Sequence, residues 1–206
     1  MSGHAAQLPA NRKAIIPGIE KDIKILLPEV GMPNAALKIE QDTTPTLFTT
    51  HGIDKIRFLF SANKGFDYKE LNKVASGGEL SRLMLCIKAL IAELTALPTI
   101  IFDEIDTGIS GEIALKVGNV MAAIAHARQV IAITHLPQIA GKGQEHYFVY
   151  KEVNHATTAT NIRKLKGEER INEIAKMLSG EQPTAAAIEN ARELLLWGEE
   201  VGKLEG

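Results

Sequence analysis

The chain reads as an α/β protein, with a mainly parallel core sheet, flanking helices and additional antiparallel strands. Three observations lead there. Thr99-Ile100-Ile101-Phe102 and Val130-Ile131-Ala132-Ile133-Thr134 are short, continuous apolar runs, the pattern of strands buried on both faces. A helical stretch from Glu112 to Ala127 separates them, and strand–helix–strand order implies parallel pairing. Lys55-Ile56-Arg57-Phe58-Leu59-Phe60-Ser61 instead alternates, as an antiparallel strand with one wet face does.

The elements follow in order. Asn11 to Leu27 carries Ile15, Ile16, Ile19, Ile23, Leu26 and Leu27 at near-helical spacing; Pro17-Gly18 interrupts it, which predicts a kinked or short helix. Pro28, Gly31 and Pro33 then break the chain. Leu37-Lys38-Ile39-Glu40 alternates as a strand, and Asn63-Lys64-Gly65 supplies a turn after the second one. From Glu79 to Leu97, Leu80, Leu83, Met84, Ile87, Leu90, Ile91 and Leu94 recur at i, i+3, i+4 and i+7, the clearest helix in the sequence. After the two apolar strands, Tyr147-Phe148-Val149-Tyr150 and Thr158 to Leu165 form a hairpin pair. Helices follow around Glu169 to Leu178 and Pro183 to Trp197. No internal repeat is visible.

Bulk composition narrows the class. At 206 residues the chain is one large domain or a core with an appendage, and 45% apolar with 23% charged residues can bury a sizeable core. A net charge of −2 excludes a strongly basic footprint overall, though not a local patch. Cys86 is the only cysteine, so no internal disulfide forms, and its neighbours Leu85, Ile87 and Leu90 mark it as a small buried hydrophobe. No apolar run nears the ~20 residues that span a bilayer. Met1-Ser2-Gly3-His4 has no signal-peptide character, so a cytoplasmic protein is expected.

Chemistry concentrates in four places. Ser76-Gly77-Gly78-Glu79 opens the best helix. Serine with glutamate three residues on is a capping box that satisfies orphan amides. Two glycines at a helix mouth also let backbone N–H groups approach an anion, and the helix dipole favours phosphate there. Asp103-Glu104 ends an apolar strand, where open α/β sheets place ligands. Either acid could merely cap a turn. A division of labour suits the pair better, the first holding a magnesium ion and the second acting as general base on water. Asp106, Thr107, Gly108 and Ser110 form a polar turn, with Ser110 placed to cap the next helix. His135 ends the other apolar strand, where a neutral imidazole could donate to a γ-phosphate. The remaining histidines have no metal-ligand spacing. No G-x-x-x-x-G-K-[ST] phosphate loop occurs.

In order, these segments resemble the signature motif, Walker B, D-loop and switch histidine of an ATP-binding cassette. Phe58 to Asn63, Val74 to Arg82, Phe102 to Gly111 and Thr134 to Ala140 are similar, more narrowly, to the RecN family of SMC-like bacterial DNA repair proteins. SMC proteins typically follow their Walker B acids with D-A-A-L-D, from which Asp106-Thr107-Gly108-Ile109-Ser110 departs. The resemblance implies a C-terminal lobe of an ABC-type ATPase head at residues 31–206. Residues 1–30 would be the stump of a returning coiled-coil helix and a linker.

The same resemblance implies the roles. Asp103 would help hold Mg2+, Glu104 would be the catalytic base and His135 would sense the γ-phosphate. Ser76, Gly77 and Gly78, with Glu79 beside them, would meet the ATP of a second protomer, and Asp106 would couple the two sites. The implied partners are an N-terminal Walker A lobe of the same parent protein, a second protomer in a homodimer, and DNA, with no membrane. The implied setting is double-strand-break repair and recombination in the cytoplasm, at the bacterial nucleoid. Lacking a phosphate loop, the chain alone is expected to hydrolyse ATP negligibly. The competing expectation is a non-catalytic dimerisation or DNA-docking module, with Lys151, Arg163, Lys164 and Lys166 as its basic surface.

Overall fold

The structure is a computed structural model and describes residues 2–44, 49–50, 52–65, 67–74, 77–95, 97–103, 105–154 and 157–201. The chain divides into two compact units, Met1–Leu97 and Pro98–Gly206.

The first unit opens with helix α1, Ser2–Glu29, which runs on through Pro9 and Pro17. The expected interruption at Pro17-Gly18 does not end it. An interior proline removes one helical hydrogen bond and costs about 3 kcal/mol. Here the second half offsets that by packing, with Ile23, Leu27 and the following Val30 fully buried. Polar contacts tie the helix down along its length. Arg12 Nη1 lies 3.0 Å from Asp54 Oδ2, the amide of Ile39 donates to Glu20 Oε1 at 2.6 Å, and Gln41 Nε2 donates to the Pro9 carbonyl at 3.0 Å. Strands β1 (Ala36–Thr43) and β2 (Asp54–Ser61) pair antiparallel from Ala36↔Ser61 to Thr43↔Asp54, and β3 (Lys69–Glu70) adds to β2. Alternation puts Leu37 and Ile39 into the core. Helix α2, Gly77–Leu94, buries Leu83, Leu85, Cys86, Ala89 and Ala92, while Met84 and Ile91 stay exposed.

The second unit holds the strand–helix–strand segment. Strands β4 (Thr99–Phe102) and β5 (Gln129–Ala132) pair in parallel, Phe102 opposite Ala132, with helix α3 (Gly111–Ala125) as the crossover. Burial on both faces does not hold. Ile100 and Phe102 are buried, but Ile101, Ile131 and Ile133 are about half exposed, at 55%, 42% and 56%. Within the described residues this sheet has two strands. The short helix α4 (Pro137–Ala140) comes next, and then the hairpin of β6 (His146–Asn154) and β7 (Thr157–Leu165), in register from His146↔Leu165 to Asn154↔Thr157. Helices α5 (Glu168–Ser179) and α6 (Ala185–Val201) close a small core of Ile174, Ala175, Ala187 and Ala191. The α/β class, with parallel and antiparallel sheets and flanking helices, is thus as the sequence predicts.

Candidate functional site

The ends of β4 and β5 lie side by side because the parallel register carries one pairing step further: the Ile133 amide donates to the Phe102 carbonyl at 2.9 Å. Asp103 leaves β4 at that edge and is exposed. Glu104 lies outside the described residues. The turn after it is pinned by two buried apolar side chains, Ile105 and Ile109 at 4% and 7% exposure, with Asp106 between them at 4%. Gly108 allows the turn, with φ +73°, a conformation that side chains with a Cβ rarely adopt. Ser110 stands at the N-cap of α3, but its side chain makes no capping hydrogen bond.

Asp106 faces inward and grips the end of β5. Its Oδ2 accepts from Thr134 Oγ1 at 2.6 Å and from the His135 amide at 2.7 Å, and lies 2.9 Å from His135 Nδ1. Thr134 Oγ1 in turn accepts from the Leu136 amide at 3.0 Å. One buried carboxylate therefore fixes the whole turn into α4, while the imidazole itself remains 75% exposed. Sequence reasoning placed Asp106 and His135 in the site but gave Thr134 no role. A hydroxyl residue directly before the strand-end histidine was the available signal.

The residues expected to seat a phosphate belong to the first unit. Gly77 begins α2, Glu79 is the acid of its first turn, and a Cβ at Gly77 would meet nothing within 4 Å, so the helix mouth is open there. Gly78 is half-buried in the same turn. Ser76 and Ala75 lie outside the described residues, as do His51 and His155. Arg82, one turn further along α2, is buried to 9% exposure.

Two other groups bear on the chemistry. Cys86 is fully buried, and burial pushes its thiol up to about 12, which removes it as a nucleophile. Two of the four hairpin cations are paired within the chain. Lys164 pairs with Glu145 at 2.5 Å, while Arg163 pairs with Glu169 at 3.2 Å and lies over the Phe148 ring. Among the described residues no cluster of three or more His, Cys, Asp or Glu side chains is placed to hold a metal ion. No helix among them is long and apolar enough to cross a membrane.

No protein-family model matches the chain. Individual proteins do. It is 39% identical over 192 residues to the DNA repair protein RecN of Vibrio cholerae, covering 93% of this chain and 35% of that protein. With RecN of Deinococcus radiodurans it shares 42% over 167 residues, 81% of this chain and 29% of the other, and with RecN of Bacillus subtilis 40% over 157 residues, 76% and 27%. The chain thus spans about a third of the length of the curated relatives it matches. Its fold is that of SMC ATPase heads. A chain solved in work on ATP-driven dimerisation and DNA-stimulated activation of SMC ATPases superposes with a TM-score of 0.57 at 14% identity, over 84% of this chain and 99% of that one. The Smc head domain with a coiled coil and joint from Pyrococcus yayanosii gives 0.56 at 16% identity, over 85% and 28%. By sequence, this chain is a relative of the RecN DNA repair proteins.

Proposed function

We propose that this relative of RecN is the C-terminal lobe of an SMC-like ATP-binding cassette head acting in DNA double-strand-break repair and recombination. The observation that carries the reading is the β4–β5 pair, an acid-ended and a histidine-ended strand held side by side, with Asp106 bridging from one to the other. Open α/β sheets place ligands at that edge.

In this reading Asp103 holds magnesium and Glu104 draws the proton from an attacking water. His135 faces the γ-phosphate, and Ser76, Gly77 and Gly78 seat the phosphate of an ATP held by a second protomer. The donor set fits magnesium, which is ordinarily bound through one or two carboxylates, with waters and substrate phosphates as its remaining ligands. Asp103, an exposed carboxylate at a strand end, suits that pattern. Bound there, the ion would neutralise charge on the phosphates. A lobe carrying a phosphate loop, from the same parent protein, would supply the lysine and amides that this sequence lacks. The cytoplasm, at the bacterial nucleoid, is where such a head would meet DNA. Of the four cations of the DNA-docking alternative, Arg163 and Lys164 are ion-paired within the chain.

The test is ATP hydrolysis by the purified chain, alone and joined to a folded phosphate-loop lobe. Negligible turnover alone and turnover on completion, abolished by Glu104→Gln, are expected. A base of this kind contributes roughly 10²–10⁴-fold. Substantial turnover by the chain alone that Glu104→Gln abolishes, or no gain with a soluble folded lobe, would overturn the reading.

A further inference from the structure

Two donors hydrogen-bond one oxygen of Asp106 and a ring nitrogen lies against it, and this arrangement fixes where the protons lie. The backbone amide of His135 can only donate, so Oδ2 presents a lone pair to it at 2.7 Å. Thr134 Oγ1 receives the Leu136 amide, so its own hydrogen is directed to Oδ2, 2.6 Å away. The third neighbour of that oxygen, on a carboxylate 4% exposed, would set lone pair against lone pair if it carried no hydrogen. That neighbour is His135 Nδ1, at 2.9 Å, which must therefore carry a hydrogen.

We infer that Asp106 is a positioning residue that holds His135 in its Nδ1–H tautomer, leaving Nε2 of the neutral ring as a hydrogen-bond acceptor at the end of the β4–β5 sheet. This reverses the polarity expected from sequence, where a neutral imidazole donates to phosphate. Nε2 of the neutral ring takes a donor, such as a water molecule beside a γ-phosphate. It donates directly to a phosphate oxygen only when the ring carries both protons. The carboxylate–histidine pairing that orients ligating histidines elsewhere uses the same physics, since the partner of one nitrogen decides the state of the other. What Nε2 meets rests on the proposed ATPase reading, whereas the tautomer rests on this chain's own geometry.

The experiment is a nitrogen-15 spectrum of the histidine rings in this chain without nucleotide, at a pH well above the ordinary histidine range. The His135 resonances are assigned by their loss in His135→Gln. A protonated Nδ1 with a bare Nε2 is expected. Thr134→Val, which leaves Asp106 in place, keeps that pattern, and Asp106→Ala moves the ring toward the Nε2–H form that an unconstrained imidazole favours. A wild-type ring already in the Nε2–H form overturns the inference, as does an Asp106→Ala ring that keeps Nδ1–H. If Asp106→Ala does not fold, the wild-type spectrum decides by itself. Since no nucleotide is present, a failed hydrolysis assay overturns the ATPase reading without altering this result.

Discussion

Asp54 joins the first unit through one carboxylate, and its protonation state has a readable consequence. Burial alone pushes its carboxyl upward. The hydrogen bonds from Thr43 at 2.7 Å, from Gln41 at 3.1 Å and from Arg12 outweigh that and hold it below the usual range. A carboxyl with a folded value below its unfolded one stabilises the native state above the unfolded value. That stabilisation is lost as pH falls through the folded one. Asp54→Asn is therefore expected to lower Tm at pH 7, and the gap from wild type should close as pH falls below about 4. Melting curves across that range check it, and a gap constant with pH would count against the ion pair. Cys86 gives the opposite case. With its thiol near 12, on the order of one in ten thousand molecules carries a thiolate at pH 8. The native chain should resist a thiol reagent until denaturant exposes the side chain, and rapid stoichiometric labelling without denaturant would show the burial to be wrong. The buried state of Cys86 was legible from its apolar neighbours. The three contacts on Asp106 were not, because Thr134 and Asp106 stand 28 residues apart and only the parallel pairing of β4 and β5 brings them together.

At the scale of elements, periodicity found every long helix and strand but misjudged the faces of α2, β4 and β5. In α2 the apolar positions are so dense that two stripes fit the sequence. The packed one contains Leu83, Cys86 and Ala89, while Met84 and Ile91 of the expected stripe are exposed. Short elements fixed by local turns, β3 and α4, carried no pattern to read. Close approach between helices is likewise a tertiary property, and two glycines separate it from mere helix interior. A Cβ at Gly141, just after α4, would meet the Leu194 Cβ at 3.2 Å and the Leu194 carbonyl oxygen at 3.3 Å, on α6. Gly18, inside α1, has nothing within 4 Å. Overpacking costs typically 1–3 kcal/mol, and glycine inside a helix costs roughly 0.5–1 kcal/mol relative to alanine. Gly141→Ala should thus destabilise by about 1–3 kcal/mol and Gly18→Ala should stabilise by about 0.5–1 kcal/mol. Urea unfolding of both variants measures this, and two changes of the same sign would refute the packing described at one of the sites.

For the molecule as a whole, the informative residues are those that composition marks as buried and the fold leaves wet. Ile101 on β4 and Ile131 and Ile133 on and after β5 are among the most apolar side chains in the sequence, yet each is about half exposed. On the hairpin, Tyr147, Val149 and Ile162 share one face through the Val149↔Ile162 pairing, at 57%, 57% and 66% exposure. Scattered exposed apolar residues are ordinary on any protein. Among the described residues they fall on two-stranded sheets, which are marginal in water without a third strand or a packed helix. Apolar strand faces of this kind invite association. The sequence read Thr99–Phe102 and Val130–Thr134 as buried on both faces, and that pattern makes sense if the covering elements belong to the proposed phosphate-loop lobe. The chain alone should therefore bind an apolar dye and self-associate as concentration rises, and adding the folded phosphate-loop lobe should suppress both. Ile131→Lys, which places a charge on the exposed face, should reduce dye binding and self-association with little loss of Tm, because the side chain is already 42% exposed. Sedimentation and dye titration across the three samples give the answer. A chain that stays monomeric and dye-free, or a variant that unfolds, would mean that these isoleucines are already covered and that the sheet needs no further partner.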